Sequence, residues 1–170
     1  MIEEIHRKYL QIKSLNELNE VKKPSENYFV DKSDPVNFEL HKFFYKQIGK
    51  NHHWTDRLNW SNQNWINYTS QKNIYTYILK DKSEFVGFYE LIIHEKNKEA
   101  EISYFGIFKE YFGKRLGGFL LSEAIKQSFN LGAKKVFVHT CSLDHENALK
   151  NYISRGMEIY KSEILKRKCA

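Results

Sequence analysis

Apolar residues along this chain follow two periods, and the switches between them mark out the predicted elements. Around His6–Leu15, Tyr9, Gln11 and Lys13 alternate with Leu10 and Ile12, which predicts a strand. Residues 16–26 are polar and contain Pro24, so they read as a loop, followed by a short extra strand at 27–30. Asp34-Pro35 is a helix-start signal, and Phe38, Leu40, Phe43, Phe44 and Ile48 then recur at helical spacing until Gly49. A second helix is predicted from Trp60-Ser61 to about Ser70, with Ser61 as its N-cap. A three-strand meander follows at 74–79, 85–95 and 100–108, with polar turns at 80–83 and 96–98.

The stretch from Glu101 to Leu121, EISYFGIFKEYFGKRLGGFLL, changes period in the middle. It begins as a strand, passes through a loop with Gly113, Gly117 and Gly118, and becomes a helix that ends at the C-cap glycine Gly132. The first amides of a helix have no internal partner and its dipole makes that end positive, so a glycine-rich entry is a ready anion site. Lys114 and Arg115 add two cations there. No Lys-Ser/Thr follows Gly117 or Gly118, which excludes a Walker A loop, and Gly-x-Gly-x-x-Gly is also absent. Two readings stand: a phosphate cradle, or glycines that let the helix pack closely on its strand. Beyond the helix, KVFVHTC at 135–141 reads as a strand parallel to 100–108, because a helical crossover joins the two. A short helix at 144–156 and a strand at 157–165 complete the chain.

Composition narrows the classes. The 170 residues suit one domain, 1–170, and 41% hydrophobic with 15% aromatic content argues for a folded core. No run of eighteen apolar residues predicts a membrane span, and MIEEIHRKYL lacks the apolar segment of a signal peptide. With Cys141 and Cys169 alone, a disulfide framework is not expected, so a cytoplasmic protein is the default. The net charge of +6 is densest in 161–168, without a recognition helix or stacking signature, which argues against nucleic acid as a partner. No membrane partner is expected.

The segment AEISYFGIFKEYFGKRLGGFLL resembles motif A of the GNAT superfamily of N-acetyltransferases, where a strand, a loop of pattern Gln/Arg-x-x-Gly-x-Gly/Ala and a helix hold acetyl-CoA. Aligned on Gly117, Phe112 stands in place of the Gln/Arg and Arg115 in place of the first glycine. A second segment, His145-Glu-Asn-Ala-Leu-Lys-Asn-Tyr152-Ile-Ser-Arg-Gly156-Met157, is similar to the family's Asn-x-x-Ala-x-x-x-Tyr-x-x-x-Gly-Phe, with His145 at the Asn position and Met157 for Phe. The resemblance covers nearly the whole chain. It implies an α/β (α+β) acyl-CoA N-acyltransferase fold: a mixed, mostly antiparallel sheet with two splayed parallel central strands, flanked by helices. It also implies acetyl-CoA as cosubstrate with no metal, and a family in which homodimers are common. Phe112, Gly113, Lys114, Arg115, Leu116, Gly117 and Gly118 would then hold the diphosphate. The amides of Phe105 and Ile107 would hold the acetyl carbonyl and pantetheine arm, and Asn147 would add a contact.

Transfer of an acetyl group to an amine requires a proton acceptor, stabilisation of the developing oxyanion, and a proton for the leaving thiolate. By resemblance Glu101, sixteen residues before Gly117, matches the strand glutamate used as base by the protein-lysine-acetylating branch. Glu90 is its rival, since an acid inside the apolar run FVGFYELII needs a partner or a task. If the hairpin turns about Asn97, Glu90 lies near Phe105 and His94 near Glu101, so these groups border one cleft. His139 and His145 are further candidates acting through water. Tyr152 takes the general-acid role by resemblance, and a covalent step through Cys141 is not needed. Trp54, Trp60 and Trp65 gather between the first two helices, either as core or as an aromatic acceptor slot in which Trp54, Asp56 and Trp65 hold substrate beside His52 and His53. No third ligand accompanies His52-His53, so no metal is expected. The acceptor amine stays open, with acidic groups favouring a cation. A catalytically weak acyl-CoA-binding or sensing module is the alternative.

Overall fold

The computed structural model describes residues 1–168; Cys169, the second cysteine, lies outside them. Seven strands form one sheet in the order β2-β3-β4-β5-β6-β1-β7. They are β1 (Ile2–Ile12), β2 (Tyr28–Lys32), β3 (Ile74–Asp81), β4 (Glu84–His94), β5 (Glu99–Ile107), β6 (Lys135–Cys141) and β7 (Glu158–Lys168). All neighbours are antiparallel except β5 and β6, which the α3 crossover makes parallel as expected. Both end strands run beyond the predicted limits: β1 begins at Ile2, and β7 continues to Lys168 because its partner β1 offers a ladder along its whole length.

Four helices cover the sheet: α1 (Phe38–Gly49), α2 (Asn62–Thr69), α3 (Leu116–Asn130) and α4 (Asn147–Ser154). Asn37 caps α1 by accepting from the Leu40 amide, and Ser61 caps α2 in a reciprocal pair with Asn64. The predicted helix at 144–156 is shorter because Asp144 does other work. Its carboxylate accepts from Thr140 Oγ1 at 2.6 Å and the Cys141 amide at 2.9 Å, which fixes a turn after β6.

The larger core lies between the sheet and α3, with Leu10, Leu91, Ile102, Leu120, Ile125 and Val136 buried in it. A smaller one joins Phe44 and Ile48 of α1 to Ile78 and Phe88. Gly106 lets α1 approach, since a Cβ there would collide with Ile48 Cγ2. No helix among the described residues is long and apolar enough to cross a membrane.

Two departures from regular pairing shape the centre of the sheet. β5 and β6 pair only over Glu99–Glu101 and Lys135–Phe137, and beyond these residues they part. On its other side β5 carries an extra residue, because Glu90 pairs with Tyr104 while Leu91 pairs with Ile102, leaving Ser103 as a bulge. The β4–β5 turn is centred between Lys96 and Asn97, so His94 pairs with Glu99 and Ile92 with Glu101. Glu90 thus faces Tyr104, the neighbour of Phe105, and His94 Nε2 reaches Glu101 Oε2 at 3.5 Å as expected, but Glu90 is fully buried and borders no cleft with them.

Candidate active site

The gap between the parting strands is the mouth of a cavity of about 1090 Å³. One wall is the loop after β5. Gly113 there has φ +79° and Arg115 φ +63°, and these left-handed residues turn the chain so that successive amides enter α3 from one side. Among the described residues the amides of 113–118 donate to no protein acceptor. They are six adjacent donors at the positive end of a 15-residue helix. Phe112, Gly113, Arg115, Leu116 and Gly117 line the cavity, with Asn147 and Asn151 opposite. Lys114 does not line it; its ammonium lies over the Tyr111 ring, 5.2 Å from the centroid. Gly118 also faces protein, against Val21 and Arg155. The exposed Phe112 ring meets the His145 ring at 5.2 Å.

The strand edge supplies further donors. Phe108 donates to Val86 O at 2.8 Å, so the period of two turns the amides of 106 and 104 towards β4 as well. Phe105 and Ile107 therefore direct theirs away from β4, towards the gap, and both residues line it.

Three titratable groups converge on the same space. Glu101 lines the cavity with its carboxylate partly exposed, and His94 Nε2 lies 3.5 Å from Oε2. Tyr152 is 7% exposed and lines the cavity from α4, and its hydroxyl has no protein partner among the described residues. Burial, aided by Asp144, pushes its pKa well above the phenol range, so it stays protonated. His139 projects from β6, its ring 5.6 Å from that of Tyr9. Desolvation in the cleft, and next Arg7, lowers its pKa, so it is neutral at pH 7. His145, Trp54, Asp56, His52 and His53 also line the cavity, and Tyr104 donates its hydroxyl to Asp56 Oδ2 at 3.3 Å.

Glu90 and Trp65 lie elsewhere. Glu90 is fully buried outside the cavity lining, with both oxygens occupied. Arg57 grips it in a bidentate pair at 2.9 and 2.9 Å, Tyr68 donates at 2.5 Å and Ser103 at 2.6 Å, and His41 Nε2 stands 2.6 Å away. Burial pushes this carboxyl up, but His41 and Arg57 more than offset it and hold it well below the usual carboxylate range. The Arg57 guanidinium is itself caged by aromatic faces, with Tyr68 at 4.1 Å, Tyr104 at 4.4 Å and Trp60 at 4.8 Å. Trp65 is 0% exposed and packs on His41, Tyr45 and Trp60, so it is core, whereas Trp54 reaches the cavity. Sequence reasoning missed Arg57. The apolar run around Glu90 demanded a partner, but nothing in the sequence pointed 33 residues upstream to it.

A mixed sheet split between its parallel neighbours β5 and β6, with an amide-lined helix entry at the mouth of the split, defines an acyl-transferase type of fold and site. The model of the Acetyltransferase (GNAT) family matches residues 35–157, and the chain belongs to this family. No curated protein matches it in sequence. Similar solved structures include a GCN5-related N-acetyltransferase from Sphaerobacter thermophilus, with TM-score 0.70 and 16% identity over 96% of this chain and 51% of that one. One from Kribbella flavida has TM-score 0.67 and 12% identity over 97% of this chain and 58% of the other. An aminoglycoside acetyltransferase from an uncultured soil metagenomic sample, in complex with sisomicin, has TM-score 0.66 and 13% identity over 78% and 90%. The chain thus spans only a little over half of the first two proteins.

Proposed function

We propose that the chain is an acetyl-CoA-dependent N-acetyltransferase in which an acceptor amine attacks the bound thioester directly, in a ternary complex. One observation carries this reading: in a run of unpartnered amides, 113–118, the residues Gly113, Arg115, Leu116 and Gly117 line the same cavity that continues between β5 and β6 to Glu101 and Tyr152. The residues present fit a CoA-type ligand. Gly113 has open space where a Cβ would stand, and Gly117 makes only ordinary contacts at 3.6 Å, so an anion can approach the backbone closely. Arg115 adds a cation at the diphosphate position and adopts there the left-handed conformation, φ +63°, that glycine takes without a side chain's cost.

When bound, acetyl-CoA supplies an activated thioester; the rest of the chemistry belongs to the chain. The cavity-facing amides of Phe105 and Ile107 donate to the carbonyl oxygen as charge develops on it. Glu101 accepts the proton of the amine, directly or through water, and neutral His139 is the next group able to do so. Tyr152 remains protonated and donates its hydroxyl hydrogen bond towards the departing sulfur. Trp54, Asp56 and the two histidines before them form the acceptor wall. Glu90 acts at a distance, as an anchor. It ties α1 through His41, the α1–α2 connection through Arg57, α2 through Tyr68 and the β5 bulge through Ser103. The reading implies an acetyl-CoA-containing compartment such as the cytoplasm.

Titration calorimetry with CoA, paired with thioester consumption over a panel of amines, tests this. Saturable binding that Gly117→Glu removes, together with turnover of at least one amine, is the expected result. Absence of CoA binding by the unmodified protein overturns the proposal, and binding without any turnover transfers it to an acyl-CoA-sensing module.

A further inference from the structure

Charged residues of both signs line the cavity: besides the groups named next, Asp144 and Glu146 face it from the turn after β6 and Arg115 from the helix entry. From β5 and the α1–α2 connection come Asp56 and Glu101, both acids. From β1 and β7 come Arg7, Lys166 and Arg167, all basic, while Glu3, Glu4, Glu158 and Glu163 of those strands stay off the lining. His139 stands among them, with Arg7 opposing its positive charge and Glu101, Asp144 and Asp56 favouring it. A cavity that offers acids together with a basic group on β1 complements a dipolar ligand better than a uniformly cationic one.

Arg7 is the centre of the basic wall. Its nearest carboxylate, Glu163, is 3.8 Å away, beyond hydrogen-bond reach. The same Glu163 oxygen already accepts from Tyr9 at 2.7 Å, and Lys161 approaches its other oxygen at 3.5 Å. Arg7 Nε is shielded from solvent and has no acceptor. A guanidinium has five donors in a fixed fork, matched to a carboxylate or phosphate. Here that fork faces the substrate cavity with its hydrogen-bonding capacity unspent. The strand register puts Arg7 beside Cys141 and Tyr9 beside His139, so this group lies on the acceptor side of β6.

We infer that the acceptor is an amine that also carries an acid group, a carboxylate or a phosphate. Its ammonium end is drawn to the Asp56–Glu101 wall, and its acid is bound by Arg7, with Lys166 and Arg167 at the rim. This deepens the acetyltransferase reading and rests on it for the identity of the site. It also separates the chain from enzymes acting on polycations, whose charges would meet Arg7.

Matched acceptors test the inference: ω-amino acids of two to six carbons and 3-aminopropylphosphonate, each against the alkylamine and the α,ω-diamine of equal length. The best acid-bearing amine should exceed its alkylamine in kcat/KM by roughly 10- to 100-fold, the range of a charge-assisted pair. Whether carboxylate or phosphonate leads tells which acid the site takes. Arg7→Gln should raise KM for the acid-bearing amine and bring the ratio towards unity, while Arg7→Lys restores part of it. Glu163 keeps Tyr9 and Lys161 as partners, so the fold should tolerate the change; Lys166→Gln, lowering the same ratio less, is a second probe. Diamines preferred at every length, no preference at any length, or a ratio unmoved by Arg7→Gln overturns the inference. Calorimetry of the same ligands against protein with CoA present gives a readout independent of turnover. Failed CoA binding with retained, Arg7-dependent binding of the amino acid would sink only the enzyme reading. Turnover without acid selectivity would sink only this one.

Discussion

Replacing Glu90 with glutamine exchanges one oxygen for an NH2 group and keeps the shape of the side chain, so its effect isolates charge and hydrogen-bond direction. In the native protein both oxygens meet donors: Oε1 takes Arg57 Nη2, Tyr68 and Ser103, and Oε2 takes Arg57 Nη1 beside His41 Nε2. An amide must turn its own donors towards one of these sets, and Arg57, 6% exposed, loses its counter-charge. Removing one partner of a buried pair costs about 3–5 kcal/mol. For a chain of this size that is a fall in Tm of roughly 6–20 °C. Thermal and urea unfolding of Glu90→Gln, Arg57→Met and the double variant Glu90→Leu/Arg57→Met measures it. The double variant should recover most of the loss, because it leaves no orphaned charge. The pH dependence has a definite sign. The folded-state pKa of Glu90 lies far below its ordinary 4.5, so the stabilisation is complete above about pH 5 and is lost progressively as pH falls below that. The gap between native and Glu90→Gln should therefore be constant from pH 5 to 8 and narrow at lower pH. A single-variant loss under about 1 kcal/mol, or a double variant no better than either single one, would refute the anchoring argument.

Other expectations are simpler to read. Gly117→Glu should abolish CoA affinity while leaving Tm nearly unchanged, since a Cβ there meets only ordinary contacts at 3.6 Å; retained affinity by calorimetry would put the diphosphate elsewhere. Tyr152→Phe removes a cavity-facing hydroxyl without opening a void, and should lower kcat roughly 10²-fold with CoA affinity kept, in steady-state thioester assays. Glu101→Gln should lower kcat/KM by roughly 10²–10⁴ without changing CoA binding, and rates equal to the native enzyme would remove it as the base. His139 has a lowered folded-state pKa, so its neutral form favours folding above pH 6.5 and the benefit fades as pH falls below that value. Urea midpoints of His139→Gln should accordingly decline less steeply than native between pH 6.5 and 5.

Local chemistry carried the sequence reading as far as it went. The strand–loop–helix at 101–121 was legible because glycine and helical spacing announce themselves within a few residues, and the β5–β6 parallel pairing followed from the crossover. The β4–β5 register was not, since it depends on a bulge at Ser103, whose hydroxyl meets the Glu90 carboxylate of the neighbouring strand. Trp54 and Trp65 look alike in sequence, yet one packs over Gly49 at the cavity edge and the other is buried against His41, Tyr45 and Trp60. Arg7 gave no signal, because its meaning depends on which carboxylates its neighbours have already claimed.

The grip of Arg57 on Glu90 also sets terms for anyone reshaping what this protein accepts. The segment at 52–60 looks like an interchangeable surface loop, yet it carries the counter-ion of a strand in the centre of the sheet. A graft that alters the loop's length or omits that arginine would strand a negative charge in the core, so new specificities have to be written around residue 57, keeping it in place.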